Sequence, residues 1–296
     1  MATDSSSLRD VFFADLRDPS TDLGGLISSR GITNAVFHTI VAIAIDRDKR
    51  SFDIQNDDGE AVPRDDDQVL PGRYLIISDE PVRHSTRPFF TRALSSSAAT
   101  RLKSFRQQVR TRDQRCVITK VASILGPRFN EWTPFKAAHV VPIAYANEWH
   151  DRSFSSLITI PPPWPRESDT INSVQNGLLM QSNVHQAFDA YNFSILPDAG
   201  HRLVFFKPDL FGVDGTTLDH QLLDDDRRPP DALLKWHFEQ AVLCNVRGAG
   251  EPHLEFDFPP GSDMVGEILA APKAAERMEF ELFTRLGAFE APQDID

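Results

Sequence analysis

Two stretches of sequence decide the fold, Ala137-Ala138-His139-Val140-Val141-Pro142 and Asn176-Gly-Leu-Leu-Met-Gln-Ser-Asn-Val-His185-Gln-Ala-Phe-Asp189. Residues 135–141 are short and apolar and end at a proline, which is typical of a β-strand. Residues 177–180 form a second short apolar run. We therefore expect two strands separated by a long loop.

A helix is predicted directly after the second strand. Ser182 can cap its first turn, and His185 and Asp189 then lie on one face because residues i and i+4 are neighbours on a helix. A strand, a long loop, a strand and a helix in this order would bring His139, Asn176 and His185 together. This arrangement would gather residue types that suit metal-assisted or acid–base chemistry.

Length and composition set limits on the class of protein. The chain has 296 residues, of which 41% are hydrophobic and 25% charged, so a folded globular protein of two domains, or one elaborated domain, is expected. No apolar run approaches the ~20 residues that span a bilayer, and no secretory signal is evident. With only two cysteines, we expect an intracellular protein, cytoplasmic or nuclear, without a membrane partner.

Charge is distributed unevenly along the chain. The formal net charge of −12 argues at first against a nucleic-acid partner, since phosphates are bound by Lys and Arg. Residues 83–131, however, contain eleven basic residues and only Asp113 and Glu131 as acids. Within this segment, Leu102, Phe105 and Val109 recur at helical spacing. The sequence thus predicts a basic helix leading into the central motifs, although an ordinary solvated helix face remains an alternative.

The front of the chain is predicted to be rich in β-structure. Residues 35–45 contain many β-branched side chains and are interpreted as a strand. Residues 51–54 and 60–62 flank an Asp-Gly step and predict a hairpin. Residues 73–77 are interpreted as another strand.

The end of the chain is predicted to be helical. One helix is expected over residues 233–243, after Pro229-Pro230, and a second is expected to begin at Pro272. The fold class is therefore α+β. The predicted organisation is a β-rich N-terminal domain over residues 1–95, a central domain over 96–206 that begins with the basic helix, and a helical C-terminal region over 207–296.

The central motifs resemble a known family. The combination of Cys116-x-x-Thr119, Ala-Ala-His139, Asn176-Gly-Leu-Leu and His185-x-x-Phe-Asp189 is similar to the HNH endonucleases. These have a ββα-metal (His-Me finger) core with His, Asn and His around one divalent cation. The motif resemblance covers residues 116–196 and is greatest to an HNH subgroup common among predicted fungal proteins, which also share the β-rich front and helical tail.

The resemblance implies a role for each residue of the motif. His139 is the natural general base for water, because an imidazole with an ordinary pKa of about 6.5 is partly neutral near neutral pH. Asn176 would hold the loop and orient His139, and His185 would ligate Mg²⁺, Mn²⁺ or another divalent ion. The basic residues expected to grip nucleic-acid phosphates are Lys103, Arg106, Arg110, Arg112, Arg115 and Lys120.

Two features depart from the family pattern. Many HNH enzymes have an Asp metal ligand immediately before the first His, where this chain has Ala138. Asp189 could replace it as a ligand or could instead brace the helix. Other members hold structural zinc with two Cys-x-x-Cys pairs, whereas the corresponding places here are Cys116, Thr119, Gln181 and Val184. With one cysteine of four, no structural zinc is expected.

The leading interpretation is a metal-dependent endonuclease that hydrolyses DNA, with RNA as an alternative substrate. The competing interpretation is an HNH-like module that binds nucleic acid or protein without turnover, which the loss of the Asp ligand at Ala138 favours. A β-plus-helix protein in which these residues are incidental is the third alternative.

Overall fold

The structure is a computed structural model that describes residues 8–45, 51–87, 99–162 and 167–247. Helices and strands are both abundant in it, as expected for the α+β class. The C-terminal helix predicted from Pro272, and the rest of the tail beyond residue 247, lie outside the described residues. The predicted domain boundaries remain a prediction.

The N-terminal part is a four-stranded sheet with the order β2-β1-β4-β3. Strand β1 (Val11–Asp15) is parallel to β4 (Gly72–Ile77) and antiparallel to β2 (Asp18–Leu26), and β3 (Asp53–Asn56) is antiparallel to β4. The predicted hairpin and the strand at 73–77 are confirmed. The Asn56 amide donates to the Glu60 carbonyl across the turn.

The strand predicted over residues 35–45 is wrong, because helix α1 (Asn34–Ala44) occupies this segment. The Thr33 hydroxyl accepts a hydrogen bond from the Val36 amide at the start of the helix. The side chains buried against the sheet recur at helical spacing, and they include Val36, Phe37, Ile40, Val41 and Ala44. Burial of this face outweighs the weak β-preference of the branched residues.

The central part contains the predicted ββα unit. Strand β5 (Phe135–His139) is antiparallel to β6 (Gly177–Gln181), and helix α5 (Ser182–Asp189) follows β6 directly and packs on both strands. The cap prediction for Ser182 is wrong, since this residue is already helical and its hydroxyl donates to the Pro134 carbonyl. A second antiparallel hairpin of β7 (Phe193–Leu196) and β8 (Arg202–Phe205) follows.

Helix α2 (Ala99–Asp113) is the predicted basic helix, and it packs on β5 and β6. Phe105 and Val109 face this pair of strands, and their side chains pack against Gly177. The remaining helices are α3 (Gly126–Phe129), α4 (Ala146–Asp151), α6 (His220–Leu223) and α7 (Asp231–Asn245). Helix α7 begins after Pro230, as predicted.

Helix α7 joins the two hydrophobic cores. Leu233, Leu234 and Trp236 belong to the core around β5, β6 and α5, whereas Phe238 and Val242 belong to the core beneath the N-terminal sheet. The N-terminal and central parts are thus packed on a shared helix. Within the described ranges, no helix combines the length and apolar character that crossing a membrane requires.

Candidate active site

The register of β5 and β6 brings the motif residues together. His139 is the last residue of β5 and pairs with Gly177, the first residue of β6. The amide of Val140 donates to the carbonyl of Asn176 over 2.9 Å. The two strands therefore join His139 and Asn176 at one end of the hairpin, although 36 residues of chain separate them.

Asn176 holds the backbone that follows His139. Its side chain is fully buried. The side-chain oxygen accepts from the Val141 amide at 2.9 Å, and the side-chain nitrogen donates to the carbonyls of Val141 and Ile171, each at 2.9 Å. Both side-chain N–H groups and the side-chain oxygen are therefore hydrogen-bonded, and these bonds hold the start of the long loop at Val141 next to its end at Ile171.

His139 is held by two residues that the sequence analysis did not identify. Its ring stacks on the ring of Phe105, with 3.8 Å between centroids and 12° between planes. Its Nε2 atom lies 3.2 Å from the side-chain oxygen of Asn172. Because an amide oxygen only accepts hydrogen bonds, this contact favours a proton on Nε2, which leaves the lone pair on Nδ1.

Two potential metal ligands lie on α5. The His185 Nε2 atom is 3.0 Å from an oxygen of Asp189, one helical turn later, and the side chains are 18% and 15% exposed. An imidazole nitrogen and a carboxylate oxygen suit a divalent cation, and Mg²⁺ commonly keeps several waters beside few protein ligands. In the part of the chain that the structure describes, no group of three or more His, Cys, Asp or Glu side chains forms a fuller metal site.

The turn at Cys116 and Thr119 is joined to β6 and α5 through Gln181 and Val184. The Thr119 amide donates to the Cys116 sulfur at 3.4 Å, and the Thr119 hydroxyl donates to the Gln181 side-chain oxygen at 2.7 Å. Cys116 and Val184 are fully buried in the central core. A hydrogen bond and apolar packing thus connect the turn at residues 116–119 to β6 and α5.

The predicted phosphate-binding residues lie in different environments. Lys103, Arg106 and Lys120 are exposed. Arg110 is half-buried, with its guanidinium 5.3 Å from the centre of the Trp132 ring. Arg115 lies 3.2 Å from a carboxylate oxygen of Asp219. The exposed members are therefore better placed to meet a large anionic ligand than Arg115 is.

Arg112 must be removed from the predicted phosphate-binding set. Its side chain is 1% exposed and forms a bidentate ion pair with Asp113. The guanidinium also donates to the carbonyls of Val174 at 2.9 Å and Gly177 at 2.6 Å, on either side of Asn176. Arg112 is therefore a buried anchor for the segment that carries Asn176 and cannot reach a phosphate in this conformation.

Comparison with known protein families distinguishes two parts of the chain. Residues 8–83 match a domain of unknown function, DUF8573, and residues 116–196 match the HNH endonuclease family. No curated protein and no solved structure matches the chain. The HNH match covers the turn at Cys116, both strands of the ββα unit and helix α5. HNH nucleases generally use a divalent metal and act on nucleic acids, so a nuclease-type function is indicated. The match at residues 116–196 therefore supports an HNH endonuclease family for the central part of this chain.

Proposed function

We propose that this protein is a metal-dependent endonuclease that hydrolyses DNA, with His139 as the general base. The observation that carries the proposal is the environment of His139, whose ring is stacked on Phe105 and bonded through Nε2 to Asn172 at the end of β5. An imidazole whose ring orientation is fixed in this way at the end of a strand is suited to accept a proton as a general base.

The protein groups would act as follows. Nδ1 of His139 takes a proton from a water molecule as the water oxygen forms a bond to phosphorus. The bond between phosphorus and the 3′ oxygen breaks, and that oxygen leaves with a proton from solvent as a hydroxyl. Asn172 stabilises the imidazolium that forms, because its oxygen accepts the Nε2–H bond more strongly when the ring is charged. Asn176 keeps the supporting loop in place.

His185 and Asp189 are the residues that would hold the divalent cation, with Mg²⁺ or Mn²⁺ as the proposed ion. When bound, the cation supplies positive charge to the phosphate and to the leaving oxygen. The 3.0 Å between His185 Nε2 and the Asp189 oxygen is short enough for both atoms to ligate one ion. Lys103, Arg106, Arg110 and Lys120 would contact flanking phosphates without reading the bases.

The direct test is cleavage of plasmid DNA in Mg²⁺ or Mn²⁺ by the wild-type protein and by His139→Ala. Loss of a general base should lower the rate by about 10²- to 10⁴-fold. His150→Ala is the matched control, since His150 is exposed on α4. Equal rates for wild type and His139→Ala would contradict the assignment, and single-stranded DNA and RNA substrates in the same assay determine the preferred nucleic acid.

A second candidate function is an HNH-like binding module without turnover. Ala138 at the place of the usual Asp ligand favours it, as does the absence of a three-ligand cluster among the described residues. Calorimetric titration with Mn²⁺ and with short duplexes separates the two functions. Tight duplex binding without metal uptake or cleavage would support the module.

A further inference from the structure

A groove without an established role runs beside the C-terminal half of α2. It has a volume of about 570 Å³ and lies between α2, α3 and Trp132. Among the residues that the structure describes, its lining includes Arg110 and Arg128 but no acidic side chain. This volume is in the range of ordinary small-ligand sites, so the groove can hold a nucleotide-sized group.

The two arginines in the groove are not neutralised by carboxylates. Within the described ranges, neither Arg110 nor Arg128 forms an ion pair, in contrast to Arg112 with Asp113 and Arg115 with Asp219. Arg110 is partly desolvated, and burial together with the nearby Arg106 lowers its pKa from the usual value. A partly desolvated cation without a carboxylate partner, such as Arg110, is stabilised when an anion such as phosphate binds.

The groove also borders an exposed apolar segment. Phe129 lines the groove and is 71% exposed, and Ile124 in the preceding loop is 75% exposed. Val121 and Leu125, in the same loop, are exposed as well. Exposed apolar side chains that are grouped in one short segment are typical of a binding surface.

The groove and the proposed catalytic centre lie on different faces of helix α2. Arg110 follows Phe105 by five residues on α2, which corresponds to roughly 7.5 Å along the helix axis. Phe105 is the residue stacked on His139. The residues of α2 that line the groove, Gln107 and Arg110 among them, lie on the face of the helix opposite Phe105, so a strand bound at His139 has to pass around α2 before it reaches the groove.

We propose that this groove binds an unpaired nucleotide of the substrate, an inference that rests on the nuclease function proposed above. Arg110 and Arg128 bind its phosphates, and its base stacks on Phe129. The amides of Gln107, Gln114 and Asn130, which line the same groove, supply hydrogen-bonding groups for the base edge. An exposed aromatic ring beside cations is suited to a single strand, because the faces of paired bases are hidden within the duplex stack. The substrate class is then DNA that contains a single-stranded segment.

The test measures binding without metal, by fluorescence anisotropy in EDTA, so that cleavage does not contribute. The probes are a short labelled single strand, the blunt duplex of the same sequence, and that duplex with a single-stranded tail. Phe129→Ala should weaken binding of the single strand and of the tailed duplex by about tenfold, the typical effect of losing one base–aromatic stack. Binding of the blunt duplex should be unchanged. Leu210→Ala is the matched control, because Leu210 is 85% exposed and outside the groove.

Three results would overturn the inference. The first is an unchanged affinity of Phe129→Ala for all three probes. The second is an equal loss of affinity for the blunt duplex and the single strand. The third is that a poly-glutamate peptide competes with the probes for the wild type but not for Phe129→Ala, while Phe129→Ala still binds the single strand. The nuclease proposal fails separately. Phe129-dependent binding of single strands by a protein that never cleaves would contradict only the nuclease, and His139-dependent cleavage with no strand preference would contradict only the groove.

Discussion

At the scale of single residues, the contacts of His139 are the most informative feature of the molecule. The contact of Nε2 with Asn172 and the stacking on Phe105 orient the ring, and neither partner belongs to the motif that identified His139. Asn172 lies in the loop before β6 and is buried. We assign it as a positioning residue, since it acts through His139 and not on the substrate.

Replacing Asn172 by Asp should shift the pH dependence of cleavage. A carboxylate beside Nε2 stabilises the imidazolium and so raises the pKa of His139. Because the base must be neutral, the rising limb of the pH–rate profile should move to higher pH. The measurement is kcat/KM against pH for wild type and Asn172→Asp. A profile that loses height at every pH without moving would mean that Asn172 only supports the fold.

At the scale of elements, helix α2 carries arginines of two kinds. Arg106 is exposed on its solvent side, whereas Arg112 is buried and bonded to Asp113 and to the backbone around Asn176. Asp113 in turn accepts a hydrogen bond from the Leu179 amide in β6 at 2.8 Å. One end of the helix therefore braces the candidate site, while its outer surface is available to a ligand.

Replacing Arg112 by Met should lower the stability of the protein, whereas replacing Arg106 by Met should change its binding to DNA. Arg112→Met leaves Asp113 buried without its cation and should lower the free energy of unfolding by about 3–5 kcal/mol. Arg106→Met should change stability by less than about 0.5 kcal/mol. It should instead reduce the slope of log affinity for DNA against log salt by about one.

Urea unfolding and DNA binding at several salt concentrations provide both measurements. If Arg106→Met leaves the salt dependence of binding unaltered, the outer surface of α2 does not contact phosphates. If Arg112→Met is as stable as the wild type, the buried ion pair does not support the site.

At the scale of the whole molecule, the N-terminal and central parts are joined by polar contacts as well as by α7. Asp214 is buried, and its carboxylate accepts hydrogen bonds from the Gly31 amide at 3.1 Å and from the Phe205 amide in β8 at 3.2 Å. The backbone at Gly31 approaches so closely that a Cβ atom there would lie 2.5 Å from the carbonyl oxygen of Leu203. Gly31 and Asp214 are therefore part of the junction between the two parts.

Burial raises the pKa of Asp214 above its usual value of 3.8. As pH rises past that value, the unfolded chain loses this proton before the folded chain does, so ionisation of Asp214 lowers the free energy of unfolding. Asp214→Asn removes this dependence. The stability of the wild type minus that of Asp214→Asn should therefore decrease in urea unfolding as the pH rises above about 4. A difference that stays constant or grows with pH would contradict the raised pKa.

Much of the local structure could be predicted from the sequence. Proline and glycine positions, apolar periodicity and the spacing of His139, Asn176 and His185 indicated the ββα unit, the basic helix and α7. The segment at 35–45 was misassigned, because its β-branched side chains drew attention away from a burial period that is helical. For such a segment, packing against the sheet determines the structure more than intrinsic preference does.

The sequence by itself determined the ββα unit, its resemblance to the HNH endonucleases and the concentration of basic residues ahead of it, since these follow from local pattern and composition. Only the tertiary structure decided which arginine of α2 turns inward, that Asn172 and Phe105 hold His139, and that Arg110, Arg128 and Phe129 share a groove. These relations join residues that are distant in the chain or differ only in their rotation about one helix. They depend on how the elements pack, which no local pattern specifies.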